Sequence, residues 1–104
     1  MIDLETRDVT VNGITLHVTA QGDGPLVLLC HGFPETAYAW RHQLPALARA
    51  GFRAVAPDLR GYGASDSPTD AAAFTTLDAI GDLVALIDSE GADSAVIVLS
   101  LIHI

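Results

Sequence analysis

Three short apolar blocks, separated by two helical patterns, constrain the fold of this chain more than any other feature. The blocks are residues 26–30, 52–56 and 94–98. Apolar residues dominate each of them, which is typical of strands that are covered on both faces. Strands that alternate with helices form mainly parallel sheets with right-handed connections. The sequence therefore predicts an α/β fold.

The two helical patterns cover residues 37–50 and a stretch from Thr75 or Thr76 to about residue 90. Pro45 lies inside the first pattern. Because proline lacks an N–H group and suits the first turn of a helix, we predict a break before Pro45 and a second helical piece after it. The second pattern has apolar residues at helical spacing, which predict its core-facing stripe, and acidic residues mostly outside that stripe. The stripe is Leu77, Ile80, Leu83 or Val84 and Ile87, and the acidic residues are Asp78, Asp82 and Asp88.

An Asn-Gly pair near the N-terminus predicts an antiparallel hairpin. Residues 6–11 and 14–20 alternate between apolar and polar types, and Asn12-Gly13 lies between them. Both turn positions of a two-residue hairpin need positive φ, which these two residues tolerate. We place this hairpin at one edge of the sheet. A chain of 104 residues has room for one domain, and we assign residues 1–98 to part of an α/β core domain.

Charge and composition exclude several classes of function. Five arginines, no lysine and 13 acidic residues give a net charge of −8, which disfavours binding to nucleic acids or to anionic membrane surfaces. The sequence shows no transmembrane-length apolar run, no signal peptide and no spacing typical of a metal site. Cys30 is the sole cysteine, so no internal disulfide can form. We expect a cytoplasmic protein without cofactor or metal.

The motif with the strongest chemical meaning follows the first apolar block. The strand ends in His31-Gly32-Phe33-Pro34. Gly32 permits a sharp turn, and Pro34 favours an extended Phe33. The backbone N–H of Phe33 could then face a cavity at the carboxyl end of the strand, where open α/β sheets bind ligands and where an oxyanion can be held.

Three segments together resemble a known family. Residues 31–35 read His-Gly-Phe-Pro-Glu, residues 38–45 read Tyr-Ala-Trp-Arg-His-Gln-Leu-Pro, and residues 56–66 read Ala-Pro-Asp-Leu-Arg-Gly-Tyr-Gly-Ala-Ser-Asp. In this order and spacing they resemble the epoxide hydrolase-like branch of the α/β-hydrolase superfamily, and the resemblance extends to Val98. The fold that it implies is the N-terminal part of an α/β-hydrolase, ending before the turn that carries the nucleophile.

The resemblance also implies roles for individual residues. The backbone N–H of Phe33 corresponds to a donor of the oxyanion hole, while His31, Gly32, Pro34 and Trp40 support the loop and the substrate pocket. The family's Asp nucleophile, its catalytic acid and its His base have no counterpart in this chain. The resemblance implies a small epoxide as the substrate of the full-length parent, with no cofactor or metal. It does not indicate an oligomeric state.

Other interpretations stay open at this stage. A haloacid or haloalkane dehalogenase shares the fold and an Asp nucleophile, an esterase or perhydrolase would carry Ser instead, and a non-catalytic fragment needs neither. Residues 99–104 read Leu-Ser-Leu-Ile-His-Ile, where the family pattern has a glycine-flanked nucleophile. We therefore expect these six residues to be a tail that is not native, and we interpret neither Ser100 nor His103 as catalytic.

Several further residues have simpler interpretations. We expect Cys30 to be a buried packing residue and Asp58, which follows a strand, to fix the neighbouring loop. His17 and His42 are expected at the solvated surface. The Gly61-Tyr62-Gly63 sequence lacks the features of a phosphate-binding loop and is predicted to be an ordinary turn.

Overall fold

The computed structural model describes residues 4–31, 36–65 and 76–99. Its first two strands are β1 (Leu4–Val11) and β2 (Ile14–Gln21), which pair antiparallel with Val11 opposite Ile14. Asn12 and Gly13 adopt φ values of 48° and 79° in the turn between them. The predicted hairpin is therefore confirmed, with the positive φ angles that its turn requires.

Three further strands complete a five-stranded mixed sheet: β3 (Leu26–Cys30), β4 (Arg53–Pro57) and β5 (Val96–Leu99). The strand order is β1-β2-β4-β3-β5. β3 pairs in parallel with both β4 and β5, whereas β2 pairs antiparallel with β4. The hairpin thus extends one edge of a parallel three-stranded unit, as the sequence predicts.

Short helices connect the parallel strands. A 3-10 helix (Ala37–Trp40) precedes helix α1 (Gln43–Arg49), and helix α2 (Thr76–Ser89) precedes β5. Pro45 is the third residue of α1, so the predicted break before it is confirmed. The break falls at residues 41–42, between the 3-10 helix and α1. Within the described residues, no helix is long and apolar enough to cross a membrane.

The two inner parallel strands, β3 and β4, are buried on both faces. Alternate residues of β3 belong to two different apolar clusters, because successive side chains of a strand point to opposite faces. Leu28 packs with Val55 and Leu86 on the α2 side of the sheet. Leu29 packs with Ala54 and Leu44 on the α1 side. This two-sided burial explains why β3 is an uninterrupted apolar block.

The predicted apolar stripe of α2 is wrong in part. Leu77, Ile80 and Val84 are exposed, whereas Leu86 and Asp82 are buried. Leu83 and Ile87 of the stripe do pack partly against the core. The reason is a buried ion pair of Asp82, which turns this acidic residue toward the sheet instead of solvent.

The last strand is an exposed edge. All four residues of β5 are at least 36% exposed, although all four are apolar. Leu99 is part of this strand and lies opposite Cys30 of β3. Residues 100–104 lie outside the described residues, so the interpretation of residues 99–104 as a non-native tail stays a prediction.

Candidate active site

The candidate site lies at the carboxyl ends of β3 and β4. His31 follows β3 directly, and Asp58 follows β4 directly. Because the two strands are parallel neighbours, both residues lie at the same edge of the sheet. Gly32, Phe33 and Pro34, which the sequence analysis assigned to the oxyanion loop, lie outside the described residues. The role of the Phe33 N–H group therefore stays a prediction.

The His31 ring is a buried hydrogen-bond acceptor. Its Nε2 atom accepts a bond of 2.9 Å from the backbone N–H of Leu59, and the residue is only 4% exposed. The Tyr62 ring contacts it edge-on, with 5.0 Å between the ring centroids. A nitrogen that accepts a hydrogen bond carries no proton, so Nε2 acts as the acceptor of this bond. The two contacts of the ring connect the end of β3 to the loop after β4.

The Asp58 carboxylate is also buried, and both of its oxygens accept backbone hydrogen bonds. Oδ1 accepts from Ala37 N–H at 2.7 Å, and Oδ2 accepts from Ala64 N–H at 3.1 Å. Charge-assisted bonds of this kind are about twice as strong as neutral ones. Asp58 thus connects the start of the 3-10 helix to the loop after β4, which is a loop-fixing arrangement.

Two consecutive residues, Asp58 and Leu59, therefore form hydrogen bonds with residues on both sides of residues 32–35. Leu59 holds His31 before this segment, and Asp58 holds Ala37 after it. We refer to Asp58 and Leu59, with these two hydrogen bonds, as the clamp. Its geometry places His31 and Ala37, which flank the predicted oxyanion loop in the sequence, against the carboxyl end of β4.

The loop of residues 58–65 has a backbone that suits the clamp. Gly63 has a φ of 52°, and a Cβ atom at this position would collide with the Asp58 carboxylate. The N–H of Tyr62 donates to Leu59 O at 2.9 Å, which closes a turn. The prediction of an ordinary turn at residues 61–63 is thereby confirmed. Ser65 Oγ donates to Asp58 O and accepts from the N–H of His17 at 2.7 Å, so the loop is also tied to β2.

A buried ion pair that sequence reasoning missed lies below this loop. Arg60 Nε and one terminal nitrogen donate to the two carboxylate oxygens of Asp82, both at 2.7 Å. Asn12 Nδ2 donates to the same carboxylate at 3.1 Å. The only signal in the sequence was an arginine inside an otherwise small and polar loop, and nothing local indicates its partner in α2.

Trp40 packs beside the site. Its side chain lies partly buried against the apolar cluster between α1 and the sheet. The indole Nε1 atom is buried and has no hydrogen-bond partner among the described residues. The family resemblance implies that Trp40 supports the oxyanion loop and the substrate pocket, and any contact with residues 32–35 lies outside the described part of the chain.

Within the described residues, Cys30, His17 and His42 form no catalytic arrangement with one another. Cys30 is 2% exposed, and burial raises the pKa of its thiol to about 11, so the reactive thiolate is scarce at neutral pH. His17 hydrogen-bonds the Asp8 carboxylate at 2.9 Å and is partly exposed. His42 is exposed and its side chain makes no capping bond to α1. The described ranges contain no group of three or more side chains that could hold a metal ion.

Comparison with known proteins identifies the family. The sequence model of the α/β-hydrolase fold family matches residues 25–99, which is most of the chain. The chain belongs to the α/β-hydrolase fold family. The match includes β3, β4 and β5 and therefore the whole candidate site. The predicted fold class is confirmed.

Within the α/β-hydrolase fold family, the chain is similar to proteins named epoxide hydrolases. It is 57% identical to an epoxide hydrolase of Caballeronia sordidicola over 91 residues, which are 88% of this chain and 28% of that protein. It is 50% identical to epoxide hydrolase A of Mycobacterium tuberculosis over 92 residues, which are 86% of this chain and 29% of that protein.

Solved structures give the same result. A crystal structure of an epoxide hydrolase from Vigna radiata is 52% identical to the chain, with a TM-score of 0.90, and the match covers 92% of this chain and 30% of that one. An epoxide hydrolase from an endophytic Streptomyces is 48% identical, with a TM-score of 0.90 over 92% of this chain and 29% of the other. The chain thus spans about 30% of the length of these relatives and matches their N-terminal part.

Proposed function

We propose that this chain is the N-terminal part of an epoxide hydrolase, an enzyme that adds water to an epoxide and releases a diol. The observation that supports this proposal most strongly is the identity of about 50% to several proteins named epoxide hydrolases, from bacteria and plants. The clamp adds geometric support, since it holds both ends of the predicted oxyanion loop at the edge of the sheet where such enzymes would bind a substrate.

The proposed reaction has two covalent steps. In the first, an Asp carboxylate of the complete enzyme attacks an epoxide carbon, the carbon–oxygen bond of the ring breaks, and the ring oxygen takes a proton from a Tyr hydroxyl. This step leaves an ester between the enzyme and the substrate. In the second, a His base takes a proton from water, and the resulting hydroxide adds to the ester carbonyl. The tetrahedral oxyanion then collapses, the ester carbon–oxygen bond breaks, and the leaving alkoxide takes the proton of the His cation to give the diol. The proton of the new Asp carboxyl group returns to the Tyr oxygen, so the Asp carboxylate, the Tyr hydroxyl and the neutral His all form again.

The contribution of this chain belongs to the second step. The N–H of Phe33 would donate a hydrogen bond to the tetrahedral oxyanion, and His31, Gly32, Pro34 and Trp40 would support that donor. Loss of one such donor typically slows a reaction by about 10²- to 10³-fold. The clamp matters for the same reason, because a donor stabilises the oxyanion only when its position is fixed before the charge develops.

The decisive experiment starts from the gene. Sequencing source DNA beyond the codon of Val98 should show a glycine-flanked Asp within the stretch where this chain has residues 99–104. The complete enzyme should convert styrene oxide to its diol, and a rapid quench should trap a protein ester. A Ser at that position, or release of halide from 1-chlorobutane without epoxide hydrolysis, would refute the proposal. Clean genomic DNA with a stop codon directly after Ile104 would refute it as well.

A further inference from the structure

Three side chains from three separate elements meet in a cluster below the clamp, and two of them, Arg60 and Asp82, are buried. Arg60 belongs to the loop after β4, Asp82 to the middle of α2, and Asn12 to the turn between β1 and β2. The Arg60 guanidinium binds both oxygens of the Asp82 carboxylate at 2.7 Å, in a paired geometry that fixes orientation as well as distance. Arg60 and Asp82 are 7% and 1% exposed, respectively.

Asn12 ties the cluster to the backbone of α2. Asn12 Nδ2 donates to Asp82 Oδ1 at 3.1 Å and also reaches the carbonyl oxygen of Asp78 in α2. A Cβ atom on Gly81 would lie 2.8 Å from Asn12 Nδ2, so a side chain at this position would displace the Asn12 amide. The hydrogen bonds that Arg60 donates to Asp82 raise the pKa of Arg60, so the guanidinium stays charged. Asp82 is therefore a fixed anchor for the loop that carries Arg60.

Arg60 connects Asp82 to the candidate active site through its neighbours in the loop. It follows Leu59, whose N–H binds His31 Nε2, and it precedes Tyr62, whose ring lies against the same His31 ring. Two contacts of His31 thus come from residues on either side of Arg60. A loop that loses its hold on α2 would shift both contacts, and His31 directly precedes the predicted oxyanion loop.

We propose that Arg60 and Asp82 are positioning residues for the hydrolysis of the ester intermediate, acting through Leu59, Tyr62 and His31. This inference rests on the proposed epoxide hydrolase function. Ester formation builds no oxyanion on the carbonyl carbon, whereas ester hydrolysis does. Loosening the loop therefore slows hydrolysis of the ester selectively. A pair that only stabilised the fold would instead lower the fraction of active enzyme and leave both rate constants of the folded molecules unchanged.

The test is single-turnover kinetics of the complete enzyme with styrene oxide, measured by rapid quench and mass spectrometry of the protein ester. Asp82→Asn and Arg60→Gln should slow ester hydrolysis about tenfold or more, change ester formation less than about threefold, and let the ester accumulate. Asp88→Asn and Arg49→Gln are matched controls, because both residues are exposed. Both controls should keep the wild-type rates.

A double variant separates positioning from folding. Replacing a buried ion pair by apolar residues of similar volume is often neutral for stability, so Arg60→Met with Asp82→Leu should fold while it lacks the paired geometry. Slow ester hydrolysis in this folded double variant supports the inference even if the single variants unfold. Wild-type ester hydrolysis in the double variant, or equal slowing of both steps, would overturn it. Failure of the wild-type enzyme to form any ester would instead refute the proposed function on which the inference depends.

Discussion

Substitution of Asp58 by Asn is the sharpest test of the clamp. The two side chains have nearly the same shape, but the amide has one acceptor oxygen where the carboxylate has two. The amide oxygen can keep the shorter bond, to Ala37 N–H at 2.7 Å. Its NH₂ group then faces Ala64 N–H, which donates to the carboxylate at 3.1 Å in the wild type. Two donors would meet, and one charge-assisted hydrogen bond would be lost.

The expected loss of stability follows from the number of hydrogen bonds that each substitution removes. A hydrogen bond to a charged group contributes about 1.5–3 kcal/mol, and burial of a neutral amide is easier than burial of a carboxylate. We therefore expect Asp58→Asn to lower the free energy of unfolding by about 2 kcal/mol. Removal of both bonds, in Asp58→Ala, should lower it by about twice as much. Urea unfolding of the complete enzyme, followed by circular dichroism, measures both values.

Hydrogen exchange gives the local version of the same test. The Ala64 amide should exchange about 30-fold faster in Asp58→Asn if it loses about 2 kcal/mol of protection, since about 1.4 kcal/mol corresponds to a factor of ten. The Ala37 amide should keep its protection. Asp23→Asn is the matched control, because Asp23 is exposed in the connection between β2 and β3. Equal effects of the Asp58 and Asp23 substitutions would refute the clamp.

Three other predictions test neighbouring features. Gly63→Ala should destabilise the complete enzyme by about 1–3 kcal/mol more than Gly91→Ala in urea unfolding, because both glycines have positive φ but only Gly63 would place a Cβ atom against Asp58. Iodoacetamide at pH 8 should label the Cys30 peptide only after unfolding, and equal labelling of native enzyme would contradict its burial. The pKa of Cys30 rises from 9.0 to about 11 on folding. The thiol should therefore lower the free energy of unfolding only as the pH rises above about 9, where the unfolded state loses the proton first. Cys30→Ala should remove this pH-dependent decrease. The 104-residue chain alone should aggregate or bind the dye ANS and hydrolyse no epoxide, since β5 and one face of α2 expose apolar side chains; cooperative thermal unfolding together with turnover would contradict this.

Local sequence signals predicted the helices and strands well. The error in the buried face of α2 comes from an ion pair between residues that are distant in the sequence. The turn at Asn12-Gly13 and the break before Pro45 depend on the φ preferences of single residues, so the sequence alone suffices for them. The orientation of α2 depends instead on Asp82, whose partner Arg60 lies 22 residues earlier in the chain. A prediction from hydrophobic periodicity places every acidic residue in solvent. It therefore assigned Asp82 to the exposed face of α2, and the predicted buried face differs from the observed one.

In the candidate site, too, the sequence predicts features that depend on local residues but not contacts between distant ones. The positions of His31 and Asp58 at two strand ends could be predicted, because the apolar blocks before them define where the strands stop. The hydrogen bond from Leu59 N–H to His31 could not, since it involves a backbone group and leaves no trace in residue type. Only the fold brings residues 31 and 59 together across two parallel strands.

The clamp also explains why particular residue types occur in the segment of residues 56–66. Asp58 and Gly63 are constrained by each other, because the carboxylate occupies the space that a Cβ atom would need. Arg60, between them, is constrained by the buried Asp82 carboxylate. These constraints concern the residues next to the predicted oxyanion loop and not the group that attacks the substrate. An enzyme with an Asp nucleophile and one with a Ser nucleophile both form an oxyanion that needs such support. The motifs therefore identify the α/β-hydrolase fold from this part alone, whereas the choice between epoxide and ester chemistry depends on the residue at the nucleophile position.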